Sequence, residues 1–190
     1  AAGVLAAVLL TFSLYIAFVV GKSDLIGTVS VSRDNQPPSG SSSAPDVQAH
    51  KNMEKKRHIK VAGVLFFVWT AVILYGSLSP GDDLPPMGWL ARIPHFDKIV
   101  HFCFYLGQVL LLLLWLQPSR GNRIWVALCA IIFSGTIELL QGEYFDRSAD
   151  WLDFAANSAG ALAGIPLARL AERLIFKKDS GNETPPNNDN

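Results

Sequence analysis

Residues 61–78 read VAGVLFFVWTAVILYGSL, eighteen positions without an Asp, Glu, Lys, Arg or His. A helix rises 1.5 Å per residue, so about 20 apolar residues cross a hydrocarbon core of about 30 Å. The same pattern recurs along the chain. Residues 1–20 carry no charge, residues 99–117 carry only His101 as an ionisable group of this set, and residues 124–142 carry only Glu138. A fifth window, residues 154–176, is weaker because Arg169, Glu172 and Arg173 fall near its end. It is expected to span with that basic end snorkelling into the interface. The sequence therefore predicts an all-α, polytopic membrane protein: a four-helix transmembrane bundle plus one additional N-terminal transmembrane helix.

Composition agrees with this. Of 190 residues, 50% are hydrophobic and 17% charged, below the quarter or so usual for soluble domains. Sixteen basic residues balance sixteen acidic ones, which excludes the basic field a nucleic-acid partner needs. Cys103 and Cys129 both sit in apolar runs. They form neither a disulfide framework nor a CxxC metal knuckle, and read as small core residues.

Thirteen of the sixteen Lys and Arg residues fall in 21–60, 118–123 and 169–190; the alternate loops hold only Arg92, Lys98 and Arg147. Basic loops stay in the cytoplasm. The expected orientation in a bacterial inner membrane puts 79–98 and 143–153 outside and the C-terminus inside. Residues 21–57 are rich in Ser, Pro, Gly and Asn and read as a flexible polar linker. Met53 then opens MEKKRHIK immediately before a membrane run, so residues 1–52 read as an appendage to a membrane domain at 58–178. A polar tail at 179–190 is expected to be disordered.

Inside the later helices the polar residues fall at one depth. Glu138 and Gln141 lie three apart, and Asp97 and His101 four apart, with Tyr105 and Gln108 continuing that face. Asp150, Asp153 and Asn157 follow at i, i+3 and i+7, continued by Gly160 and Gly164. Such spacings place each set on one helical face. A carboxylate inside a span costs about 2.5–3.5 kcal/mol on insertion scales, so these groups are expected to face the bundle and find partners. Arg147 and His101 are the candidate partners for Glu138, Asp150 and Asp153. Three uses stay open: a network that fixes the bundle, an outward-opening substrate or catalytic pocket, and a metal site. No spacing is diagnostic of a metal and no cofactor motif is present, so neither is expected. No GxSxG elbow appears either. Gly160-Ala-Leu-Ala-Gly164 is a small-xxx-small match that points to close helix packing. Trp89, Trp115, Trp125 and Trp151 fit an interfacial belt, and Trp69, mid-window, reads as a packing or lipid-facing residue.

Five motifs in this order resemble the VanZ-like family of bacterial membrane proteins. They are YGSLSP at 75–80, DKIVHF at 97–102, ELLQ at 138–141, RSADWLD at 147–153 and NSAG at 157–160. The resemblance covers about residues 60–176 and leaves residues 1–52 unmatched. It implies a four-helix membrane domain whose founding member is associated with low-level teicoplanin resistance, but it supplies no reaction. The family's polar positions fall on Asp97, His101, Glu138, Gln141, Arg147, Asp150, Asp153 and Asn157. The expected function is binding of an amphiphilic envelope molecule, a glycopeptide or lipid-linked sugar, in an outer-facing polar pocket. The alternatives are a membrane hydrolase or transferase with a His/carboxylate pair, and a structural partner of envelope-assembly proteins. Membrane lipid is the one partner expected in every case.

Overall fold

The computed structural model describes residues 12, 13, 15–17, 21, 45–79, 92–144 and 150–177. Its elements are α1 (Pro45–Leu78), α2 (Phe96–Leu116), a 3-10 turn (Arg120–Asn122), α3 (Arg123–Tyr144) and α4 (Trp151–Lys177). Among the described residues, three helices are long and apolar enough to cross a membrane: Asn52–Leu78, Phe96–Leu116 and Arg120–Gly142. α4 is not among them, because Asn157 and its many Ala and Gly residues lower its hydropathy, and Asp153 and Arg169 leave only residues 154–168 free of charge. Most of the 1–20 run and the 179–190 tail lie outside the described residues.

α1 begins well inside the stretch expected to be linker. Glu54, Lys55, Lys56 and Arg57 are strong helix formers, and Pro45 sits at the first helical position, where its missing N–H costs nothing. The Ser/Pro composition upstream masked that local propensity. α2 stops where Gln117 turns left-handed (φ 47°) and its amide bonds Leu113 O at 3.0 Å; Pro118 follows. Asp150 starts α4: its Oδ1 accepts the Leu152 amide at 2.8 Å.

α2 and α4 form the most extensive contact, with α1 on α2 and α3 on α4. The buried stripe of α2 is His101, Tyr105, Gln108, Val109, Leu112 and Leu113, one face at helical spacing. The outward faces are apolar: Val61, Val64, Leu65, Val68 and Val72 on α1 and Ile132 and Leu139 on α3 are exposed, as lipid contact requires. Cys103 is also exposed, not a core residue as expected, because it lies off the buried stripe of α2. Trp69 packs within the bundle, its indole N–H donating to Phe104 O at 2.8 Å over Gly107. Trp115 lies over Gly63 and against Phe66, whereas Trp125 and Trp151 are exposed as a belt would be.

Two further features complete the packing. Tyr15 is buried and stacks on Phe133 with centroids 5.2 Å apart, and Phe12 packs against Phe66 and Phe133. Their apolar face supplies aromatic rings that α1 and α3 would otherwise leave open. Second, Glu172 does more than interrupt a span: both its oxygens accept from Arg123 Nη2, at 3.0 and 2.8 Å. This pair joins the start of α3 to the end of α4, so Arg123→Met should destabilise the bundle by about 3 kcal/mol by stranding Glu172. Thermal melting in detergent measures it, and an unchanged midpoint would rule the pair out as a structural tie.

Candidate functional site

The polar groups converge where the first turns of α2 and α4 meet the last turns of α3. Lys98 is the hub. Its Nζ lies 2.9 Å from Asp97 Oδ2 and 2.7 Å from Asp153 Oδ1, and it donates a short bond to Asp150 Oδ2. Asp150 therefore uses one oxygen to cap α4 and the other to bind α2. These two bonds, the Lys98 ammonium first, hold its carboxyl below the usual carboxylate range. The sequence reading counted Lys98 only as a loop charge and offered Arg147 as the cation; Arg147 lies outside the described residues. A signal for Lys98 was available: it falls in the first turn of α2, beside Asp97 and at the depth of Asp150.

One turn deeper, the site becomes buried. His101, Glu138 and Asn157 are 9%, 6% and 1% exposed. Asn157 Nδ2 donates to Glu138 Oε1 at 3.1 Å, and its Oδ1 faces His101 Nδ1 at 3.1 Å. This arrangement fixes the histidine. A carboxylate only accepts, so the amide nitrogen must face Glu138, and the amide oxygen then faces the imidazole. His101 Nδ1 must carry the proton it donates, as the hydrogen bond made by one ring nitrogen sets the state of the other. In the neutral ring Nε2 is left with a lone pair, 3.8 Å from Asp153 Oδ2. His101, Glu138 and Asp153 each bring one ligand atom within 4.8 Å of the others. These are the residues that can hold a cation. The sequence puts these three residues at one depth, but no spacing in it is diagnostic of a metal, since they come from three helices.

Not every expected residue joins this group. Asp97 is largely exposed and, among the described residues, pairs with its neighbour Lys98. Gln141, buried, donates to Ser77 O at the end of α1, so it ties α3 to α1 outside the His101 group. Gly160 and Gly164 lie directly against α2, below the polar layer. A Cβ on Gly160 would overlap Phe102 O and come within 3.1 Å of Leu106 N; one on Gly164 would meet Val109 Cβ at 2.9 Å. The two glycines set the distance at which His101 reaches Asn157 and Asp153.

Between α3 and α4 a cavity of about 300 Å³ opens beside this layer. Ile132, Gly135, Leu139, Trp151 and Phe154 make its apolar wall, with Glu138 and Asp150 at its polar end. Ile132, Leu139 and Trp151 are exposed on the bundle surface, so the cavity joins the ionisable layer to the outer, lipid-contacting face.

Apolar outer faces, three spanning helices and a buried ionisable layer define a helical membrane protein with a polar site inside its bundle. Within that class, the family model described as VanZ/LLP1 matches residues 8–172, and the chain belongs to this family. The match begins upstream of residue 52, as does the packing of Phe12 and Tyr15, so the segment expected to be unmatched is largely included. No curated protein and no solved structure matches the chain.

Proposed function

We propose that this protein binds an amphiphilic molecule of the cell envelope, a glycopeptide or lipid-linked sugar, with its head at the polar layer. The observation that carries this reading is the cavity between α3 and α4. Its apolar wall is continuous with the lipid-facing surface, while Glu138 and Asp150 close its inner end. An acyl or prenyl chain gains by burial along such a wall, and a polar head finds charged partners at its end. The founding member's association with teicoplanin resistance fits a ligand of this kind. Thr136 also lines the cavity, and Thr136→Trp fills it. Mass spectrometry of detergent-purified protein should show a copurifying envelope amphiphile, reduced at least tenfold in that variant. Equal amounts in both proteins would overturn the reading.

A second reading, a hydrolase or transferase, is favoured by His101 Nε2 facing Asp153 Oδ2 at 3.8 Å, a geometry suited to an acid/base pair. Asp153→Asn separates both readings from a purely structural role. Under either reading the variant inserts normally, with ligand or turnover lost. Disappearance of the variant from the membrane fraction would instead assign the layer a structural role.

The same proposal includes the topology: four bundle helices with α4 as the last span, in the bacterial inner membrane, C-terminus in the cytoplasm. The basic asymmetry supports it. With Cys103 and Cys129 replaced by alanine, an impermeant thiol reagent should label a cysteine at Ser148 and not one at Ser180 in intact spheroplasts. The reverse pattern would invert the orientation.

A further inference from the structure

We propose that His101, Glu138 and Asp153 form a binding site for one transition-metal dication of the Zn²⁺ or Mn²⁺ class. Three observations carry this. First, one ligand atom from each residue lies within 4.8 Å of the others, a spread that ligand distances of about 2.0–2.2 Å around a single ion can close with small rotamer shifts. Second, the hydrogen-bond chain from Glu138 through Asn157 to His101 leaves Nε2 as the lone-pair nitrogen. That atom belongs to a residue that is 9% exposed, with a side chain 11% exposed. It has no hydrogen-bond partner among the described residues, and it is aimed at a carboxylate oxygen 3.8 Å away. A lone pair facing an anion is repulsive, and a proton or a metal cation between the two removes the repulsion. Orientation of a ligating histidine through a hydrogen bond at its other nitrogen is the usual second-shell device of metal sites. Here Asn157 supplies it.

Third, the charges are arranged to leave the right atoms available. Lys98 takes Asp153 Oδ1 at 2.7 Å, and Oδ2 is the oxygen turned to His101. Glu138 Oε1 accepts from Asn157, but a carboxylate oxygen has more than one lone pair and can accept a metal bond as well. One imidazole with two carboxylates suits Zn²⁺ or Mn²⁺, whereas a site for Mg²⁺ or Ca²⁺ would be all oxygen. The cavity that reaches Glu138 gives the ion a route in, and leaves a side from which the head of an amphiphile can complete the coordination.

The test uses the full chain without a histidine tag, purified in detergent and stripped with chelator. Equilibrium dialysis against micromolar ZnCl₂ or MnCl₂, read by elemental mass spectrometry, should leave about one ion per chain. His101→Ala and Asp153→Asn should each weaken retention at least tenfold. Asn157→Ala should weaken it about 10–100-fold, as loss of a second-shell partner does, and Gly121→Ala, where a Cβ meets nothing within 4 Å, should leave it unchanged. Co²⁺ added to the stripped wild-type chain supplies a readout that needs no variant: visible bands more intense than those of the aquo ion are expected. An unoccupied wild-type chain with aquo-like Co²⁺ bands, or retention undiminished in His101→Ala, would overturn the proposal. Either result would leave amphiphile copurification to be judged separately.

Discussion

Gly160→Ala should separate α2 from α4 and produce the largest loss of stability of any single methyl added to this bundle. The added Cβ meets backbone, not the flexible end of a side chain: Phe102 O is overlapped and Leu106 N lies 3.1 Å away. Overpacking a close-packed interior costs about 1–3 kcal/mol. The upper end is expected here, because neither helix can yield without moving as a body. The displacement also carries His101 on α2 away from Asn157 on α4, whose contact is 3.1 Å, so ligand or metal retention should fall with stability. Gly121→Ala is the control, since a Cβ there meets nothing within 4 Å. Thermal melting in detergent decides the matter. Equal midpoints for the two variants would show that the close approach of α2 and α4 is not what holds the layer together.

Lys98→Met should have a comparable effect by a different mechanism. Three carboxylates share this ammonium, and the most enclosed pair, Lys98 with Asp153, has side chains only 19% and 15% exposed. Stranding a buried charge costs about 3–5 kcal/mol, and partial solvation places this case near 3 kcal/mol. The deficit should depend on pH. Asp150 has its carboxyl depressed in the fold by Lys98, so its stabilising contribution is present above the ordinary carboxylate pKa of about 3.9. It is lost as pH falls through the lower folded value. Wild type and variant should therefore differ most at neutral pH, and the gap should narrow below about pH 4 as the stranded carboxylates take up protons. A pH-independent gap would mean that the methylene stem, and not the ammonium, accounts for the loss.

These two variants also mark what could be read before folding. Hydropathy and helical spacing are local properties, so residues 61–78, 99–117 and 124–142 announced helices, and Asp150, Asp153 and Asn157 announced one face of a fourth. Gly160 and Gly164 announced close packing for the same reason. The order of the polar motifs was enough to point to the family that the match over residues 8–172 establishes. What a charge will pair with is a different kind of question. Lys98 meets Asp150 across 52 residues and Asn157 meets His101 across 56. Such pairings depend on how each helix is rotated and how far it slides along its neighbour. Sequence spacing fixes neither quantity, and Arg147 was as good a partner on paper as Lys98.

The sequence by itself determined the solvent for this chain, the number of long apolar runs and the faces on which ionisable groups stand. Each follows from nearest-neighbour periodicity and the cost of charge in hydrocarbon. Tertiary structure alone decided that Phe12 and Tyr15 belong in the core, that Gln141 serves α1, and that Asn157 orients His101 towards Asp153. Those outcomes rest on side-chain packing between helices distant in sequence, where two glycines set the separation of α2 and α4 and a few ångströms decide which polar atoms meet.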